Sequence, residues 1–323
     1  MLRHPVAMLP EDTLLVAREH DRHVLRRATA NGDLERVRRG AYRPVGPEQN
    51  RHAAARRLAT DRLRAVHRQL RARHVFSHES AALLWGAPLW RLPQRVHVLV
   101  PSSPSSRAAA DIVRRRGVPD EHVVLRALPV TTLRRTVVDC ALTLHPLDAL
   151  VVADWALGRG MDRAAALDLW ARPRRRNGTA RARWVLEHAD AGAESPWETW
   201  VRYLALRAGL PRPRTQLPVE VDGRRYRVDL GWAEEKVLVE FDGRVKDVDG
   251  SFGAGYDADH ARFEDKVRED AITARLGVRP LRFTAKDGPD PAAATAALLR
   301  AFRPAVRGSL RVNPLLPLPG ASF

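Results

Sequence analysis

The sequence predicts an α/β (α+β) multidomain protein, and three observations predict it. Its 323 residues are enough for two or three domains. Amphipathic helical stretches with recognisable caps alternate along the chain with short apolar strand runs. Charge is divided unevenly: of a formal net charge of +17, residues 1–193 carry about +15 and residues 194–323 about +2. The first part is suited to hold polyanions, and the second, with nearly as many carboxylates as cations, is suited to hold cations. Arginine far outnumbers lysine, which is also the composition of a GC-rich genome, so charge position says more than the total.

A hydrophobic content of 45% supports real cores. The single cysteine, Cys140, excludes an intramolecular disulfide and a Cys-based zinc site. The opening MLRHPVAMLPEDTLL lacks the apolar stretch of a signal peptide, and no window approaches the roughly 18 apolar residues of a membrane span. The expectation is a cytoplasmic protein without a membrane partner.

Residues 11–19 read as a helix opened by acidic residues. Residues 21–30 read as a second helix, with Asp21 as N-cap and Asn31-Gly32 as its stop. Strands at Leu34–Val37 and Ala41–Arg43, joined by Arg38-Arg39-Gly40, complete a small winged helix-turn-helix over residues 1–48. Arg26 and Arg27 would lie near the major groove of DNA, and Arg36, Arg38 and Arg39 would form a wing touching phosphate. The competing reading is an α+β cap with a solvated basic face. Residues 49–192 form an α/β and helical region: an Arg-rich helix over 50–73, a capped helix after Phe76, strands at Arg95–Pro101 and His122–Arg126, and a helix after Thr131 leading into an apolar stretch to about Leu157. A basic turn spans 172–182. His78, His97 and His122 lack metal-ligand spacing on any one element and read as structural or surface residues.

LRRATANGDLERVRRGAYRP (25–44), FSHESAALLWGAPL (76–89) and LPVTTLRRTVVDCA (128–141), in that order, resemble the AbiEi-type antitoxin and regulator proteins of bacteria. The resemblance implies a winged helix for DNA, a following α/β domain, and a toxin encoded nearby as a second partner.

The last part, residues 193–305, opens with Ser195 as N-cap, Pro196 at the first helical position and Glu198 in the first turn, a strong helix start running to about Ala208. Strands follow at Gln216–Val221 and Tyr226–Trp232 around Asp222-Gly223-Arg224. A third at Lys236–Phe241 is apolar on both sides of Glu240, as a buried central strand should be. A helix over His260–Leu276 and a strand at Arg279–Thr284 finish it, and residues 306–323, proline-rich from about Val312, read as a flexible tail. Neighbouring antiparallel strands can set Asp229 beside Glu240. Two like charges are costly to bury unless they share a cation, and hard oxygen ligands suit Mg²⁺ or Mn²⁺. Such an ion can activate water and neutralise a phosphodiester. Asp242 and Glu198 would complete the acidic cluster, and Lys246 is the best basic group for the phosphate. Competing readings pair Asp229 with Arg225 or Arg227, make Asp242-Gly243 only a turn, and leave Glu264, Asp265, Glu269 and Asp270 as a solvated helix face beside Lys266 and Arg268. The tryptophans at 197, 200 and 232 read as core.

ESPWE (194–198), GLPRPRTQ (209–216), YRVDLGW (226–232), VLVEFDG (237–243), EDKVREDAITARLGVRPLRFT (264–284) and Asp287 resemble the Vsr-like endonuclease domains of the PD-(D/E)xK nuclease superfamily. The resemblance implies a restriction-endonuclease-like mixed sheet flanked by helices. It implies Asp229 and Glu240 as metal ligands, Asp242 and Glu198 as supporting residues, and Arg268 and Asp270 on a helix beside the site. Two departures stand out: Asp242 occupies the superfamily's usual lysine position, and Lys246 stands where many members carry histidine. The expectation is a DNA-binding protein with a Mg²⁺-dependent endonuclease domain. The alternatives are an antitoxin-like regulator with a weak or inactive nuclease fold, and an RNA-processing factor.

Overall fold

The local signals become elements in a computed structural model that describes residues 13–46, 50–101, 109–117, 121–172, 178–243 and 258–320. Two compact units emerge, one of Met1–Gly86 with Leu92–Thr136, the other of Ala87–Arg91 with Val137–Phe323. The architecture is mixed helix and sheet, with three separate sheets. No helix among the described residues is long and apolar enough to cross a membrane.

In the first unit the helix expected over 11–19 is absent from the described residues 13–19. Leu14, Leu15 and Val16 are all buried, which a surface helix cannot achieve with three consecutive residues. They run instead into strand β1 (Leu15–Val16) and a short 3-10 turn at Ala17–Glu19. Helix α1 (Arg22–Ala30) starts as expected, with the Asp21 carboxylate accepting from the His23 amide. Strands β2 (Leu34–Arg38) and β3 (Ala41–Pro44) form an antiparallel hairpin, and β1 adds to its other edge in the order β1-β3-β2. Leu25 and Ala28 of α1 pack on Leu15 and Leu34, while Ala65 of helix α2 (Arg51–Gln69) packs with Leu14, Val37 and Ala41. The rest of the unit is built on a five-stranded mixed sheet of β4 (Val75–Phe76), β5 (Val96–Val100), β6 (Ile112–Arg116), β7 (His122–Leu125) and β8 (Leu128–Thr131), in the order β6-β5-β4-β8-β7. Helix α3 (His78–Trp85) ends on Gly86 at φ +92°. It is tied to the sheet by the Trp85 indole N–H donating to the Thr131 carbonyl, 3.0 Å.

Helix α4 (Leu133–Thr143) leads into the second unit, whose helical part is α5 (Pro146–Leu157), α6 (Arg163–Ala171), α7 (Thr179–His188) and α8 (Pro196–Ala208). Residues 137–192, expected with the middle region, thus gather with the C-terminal part. Asp154 of α5 and Arg202 of α8 form a fully buried ion pair, 2.5 Å. Strands β9 (Arg214–Val221), β10 (Arg224–Trp232), β11 (Val237–Asp242) and β12 (Leu281–Thr284) make a four-stranded sheet in the order β12-β11-β10-β9, antiparallel except for the parallel β11–β12 pair. Helix α9 (Ala258–Leu276) spans the crossover between those two strands. Phe241 stacks on Trp197 of α8 and Phe283 meets Trp200, at 4.9 and 6.1 Å between ring centres. Leu238, an odd number of residues from Phe241 and so on the other side of the pleat, clusters with Ile272 of α9. The two helices therefore cover opposite faces, and the tryptophans at 197, 200 and 232 are core residues.

After α10 (Pro291–Arg300) and α11 (Pro304–Ser309), the tail expected to be flexible is docked. The Asn313 amide donates to the Arg207 carbonyl at 2.8 Å, the Tyr203 hydroxyl donates to the Pro317 carbonyl at 2.6 Å, and Leu316 is buried. Prolines hold this segment extended at little entropic cost, so a few hydrogen bonds and the buried Leu316 and Pro319 suffice to fix it.

Gly209 sits where that tail crosses the end of α8. Its φ is +89°, and an added Cβ would fall 2.3 Å from the Arg311 carbonyl oxygen. Gly209→Ala is expected to destabilise the full chain by about 1–3 kcal/mol in urea unfolding. A change below about 0.5 kcal/mol would mean that the tail does not lie there.

Candidate functional site

The acidic residues singled out from the sequence converge at one corner of the four-stranded sheet. Glu198 lies in the first turn of α8. The Ser195 hydroxyl accepts from the Glu198 amide at 3.2 Å, while Glu198 Oε2 accepts from the Glu194 amide at 2.9 Å, a reciprocal cap displaced by one residue. This closure holds the Glu198 carboxylate inward, only 7% of the residue remaining exposed. The same oxygen receives the Gln216 side-chain amide at 3.3 Å. Gln216 has φ +47° inside strand β9, a strained backbone for a non-glycine residue.

Register does the rest. Strands β10 and β11 pair Trp232 with Val237, Gly231 with Leu238 and Leu230 with Val239. The paired register ends there; Asp229 and Glu240 are the next residues on the two strands, and the charge of Asp229 acts on Glu240. Asp229 Oδ2 accepts the Phe241 amide at 2.7 Å, so the carboxylate occupies the place of a strand carbonyl. Asp229 does not pair with Arg225 or Arg227 among the described residues; Arg227 lies 3.5 Å from Glu194. Asp242 ends β11, half-buried and in register with Thr284 of β12, so it belongs to the sheet rather than to a turn. Lys246 lies outside the described residues.

Three partly desolvated carboxylates thus feel one another. Burial pushes Glu198 up to about 7; the Glu194 amide opposes that shift and the charge of Asp229 adds to it. Burial also raises Asp229, against the pull of the Phe241 amide and Arg268. Glu240 is raised by burial, opposed by Arg268 and Arg282 and reinforced by Asp229.

A ladder of arginines faces these acids. Arg268 of α9 donates to Glu240 Oε1 at 2.5 Å and to the Arg227 carbonyl at 2.7 Å. Arg282 of β12 stands 3.8 Å from Glu240 Oε2 and 2.7 Å from Glu269 Oε2, and Arg279 lies 2.6 Å from Glu269 Oε1. Arg268 and Glu269 are therefore turned to the sheet, whereas Lys266 and Asp270 are exposed as the charge pattern suggested, and the side chains of Glu264 and Asp265 lie outside the described residues. Sequence reasoning missed Gln216, Glu269 and Arg282. Only Arg282 left a signal, alternating with Leu281 and Phe283. Among the described residues no group of three or more His, Cys, Asp or Glu side chains is gathered tightly enough to hold a metal ion. Asp229 and Glu240 nonetheless form the right donor set for a hard divalent cation, two carboxylates across one strand pair whose burial favours added positive charge.

In the first unit, Arg26, Arg27, Arg36 and Arg39 are exposed around α1 and the β2–β3 turn. Arg38 is not available in the same way. Its guanidinium is bidentate on Asp111, at 2.8 and 3.0 Å, and also bonds Gln69. The histidines are structural or exposed: His78 lies 2.9 Å from the Ser77 hydroxyl, His122 is exposed, and His97, 3.5 Å from Glu79, is lowered to about 4 by burial and by Arg115 and Arg95.

No protein-family model matches this chain. It is 34% identical over 110 residues to two uncharacterized proteins of Mycobacterium tuberculosis, MT2308 of strain CDC 1551 / Oshkosh and Rv2248 of strain H37Rv, over 33% of this chain and 40% of each relative. The match thus spans well under half the length of the curated relatives. A crystal structure of the RV2827C protein from Mycobacterium tuberculosis aligns over 58% of this chain and 74% of its own, at 16% identity and a TM-score of 0.35, too low a likeness to carry an argument.

Because the Glu198 carboxyl is raised in the folded protein, the native state holds a proton that the unfolded chain releases near its ordinary value. Stability linked to this group is present below about 4.5 and is lost as pH rises towards 7, a total of about 3 kcal/mol. Glu198→Gln keeps the acceptor for the Glu194 amide but cannot ionise. Its stability relative to the parent protein should grow from pH 5 to pH 8 in chemical denaturation. A constant difference across that range would show that Glu198 ionises normally.

Proposed function

We propose that this protein binds DNA through its basic first unit and hydrolyses phosphodiester bonds at the acidic corner of its second, with Mg²⁺ or Mn²⁺ as cofactor. The observation that carries the reading is the Asp229 carboxylate bound to the Phe241 amide, next to Glu240 on the paired strand, with the buried Glu198 close enough to feel its charge. The element order α8-β9-β10-β11-α9-β12, with helices on both faces of a mixed sheet, supports a restriction-endonuclease-like domain related to the Vsr-like endonucleases. The three-stranded sheet with α1 and its arginine-bearing turn supports a winged helix, and the first AbiEi-like motif, with most of the second and third, belongs to this unit.

Asp229 and Glu240 hold the ion in this reading; bound there, it supplies Lewis acidity for the attacking water and for the phosphate. Glu198, near neutrality in its proton affinity, exchanges a proton with that water or orients it. Arg268, which donates to Glu240, would be the residue free to turn to the phosphate if a cation neutralised that carboxylate. Lys246, outside the described residues, is the basic group that the sequence offers for the phosphate. Arg26, Arg27, Arg36 and Arg39 contact DNA, whereas Arg38 supports the wing through Asp111.

One observation favours a second reading. The Arg268–Glu240 ion pair already satisfies the carboxylate that the metal needs, as it would in a DNA-binding regulator whose nuclease fold no longer cuts.

Purified protein with Mg²⁺ or Mn²⁺ should nick supercoiled plasmid, and Asp229→Asn or Glu240→Ala should reduce the rate by about 100-fold or more. Intact DNA binding with no metal-dependent cleavage of plasmid, single-stranded DNA or RNA would overturn the enzyme and leave the regulator. Arg26→Ala with Arg27→Ala should weaken DNA binding and flatten its salt dependence by about two phosphate contacts, read from affinities across a salt series. Arg38→Ala should instead lower thermal stability, because it strands Asp111.

A further inference from the structure

We propose that a cleft in the first unit binds a nucleotide-sized ligand through its phosphate. The cleft has a volume of about 600 Å³ and is walled by the β2–β3 turn, by α2 and by the segments leading into β5 and β6. That size lies in the range of small-ligand sites and fits one nucleotide unit, whereas a duplex is a convex rod too wide to enter.

Its charge is one-sided. Arg38, Arg39, Arg62 and Arg95 line it, and among the described lining residues Asp111 is the only acid. Asp111 is already neutralised, because Arg38 holds it bidentately. Its carboxyl sits below the usual range, chiefly through that hydrogen bond, with Arg62 adding a smaller pull. The guanidinium groups of Arg39, Arg62 and Arg95 make no hydrogen bond or ion pair among the described residues, although the Arg39 carbonyl accepts from the Gln69 side chain. Arg39 and Arg95 are exposed at the rim, and Arg62 is half-buried on α2 beside the fully buried Leu63. A half-buried guanidinium without a bonded anion is costly beside an apolar surface, and Arg62, with exposed Arg39 and Arg95 around the same concavity, points to a missing anion. Two oxygens of a tetrahedral phosphate match the planar guanidinium fork, and the apolar floor meets a sugar or base. The site is independent of the acidic corner in the second unit and shares with the proposed DNA contacts only Arg39.

The test is calorimetric titration of the full chain with deoxyadenosine monophosphate, deoxyadenosine, inorganic phosphate, a 5′-phosphorylated single-stranded hexanucleotide and a blunt duplex. The monophosphate should bind, with the nucleoside and inorganic phosphate each at least about tenfold weaker, since each supplies half of the contacts. Arg62→Ala should lose at least about tenfold in affinity for the monophosphate without a change in thermal unfolding. Arg95→Ala, outside any helix or strand, should act in the same direction and serves alone should Arg62→Ala fold poorly. Binding of the single strand but not of the free monophosphate, lost in the same variants, would assign the nucleotide to a DNA end and uphold the site. Absence of binding by both, binding unchanged in the variants, or binding of the duplex alone would overturn it.

Discussion

Asp154 and Arg202 are the pair on which the arrangement of the second unit depends. Both side chains are out of contact with solvent, so the ion pair relies on hydrogen bonds to its other polar atoms, and among the described residues only Arg202 Nε is left without one. Asp154 accepts from Arg202, from the Thr199 hydroxyl at 2.8 Å and from the Asp190 amide at 2.7 Å, while Arg202 also donates to the His188 carbonyl at 2.7 Å. Burial pushes the Asp154 carboxyl up and the guanidinium pulls it back. These bonds lock α5, the end of α7 and α8 together. Helix α8 cannot slide or rotate without stranding a charge, and it carries Trp197 and Glu198 one turn before Arg202. The position of Glu198 beside the sheet is thus set by an ion pair that takes no part in its chemistry.

The acidic corner reverses that logic. Glu198, Asp229 and Glu240 are each pushed towards protonation by burial, and no single partner satisfies all three. Arginines from α9 and β12 neutralise part of the charge, and they reach it over rotatable side chains rather than through fixed backbone. Charge compensation by long mobile groups is easily exchanged for compensation by a ligand. That exchangeability, more than the bare presence of carboxylates, separates this corner from the Asp154–Arg202 pair.

The two basic regions of the first unit differ in the same manner. Arg38 is spent on Asp111 and Gln69 and serves the fold, as Arg43 does through Glu35 and Asp61. Arg39, Arg62 and Arg95 carry no such commitment. Net charge alone could not distinguish the two groups, because each arginine counts equally in a sum.

Element identity was largely legible in the sequence where local chemistry decides it: Asp21, Ser195 and Pro196 mark helix starts, Gly86 and Gly209 mark helix ends, and the Asp222-Gly223 turn joins two strands whose alternation is plain. At the acidic corner, Asp229, Glu240 and Asp242 stood out because they interrupt apolar strands, and Glu198 because it lies in the first turn of a capped helix. The misreadings came from residues whose state depends on distant partners. Leu15 and Val16 extend because β3 offers an edge, the Pro-rich tail docks because Tyr203 and Arg207 wait for it, and Arg38 turns inward because Asp111 lies there. The strained Gln216 and the Arg268–Glu240–Arg282 ladder leave almost no local trace. Sequence by itself determined which segments are helix or strand and which residue types could carry the chemistry, since caps, turns and periodicity act over a few residues. Tertiary structure alone decided which charges are committed and which are free to be exchanged, since that depends on burial and on partners dozens of residues away.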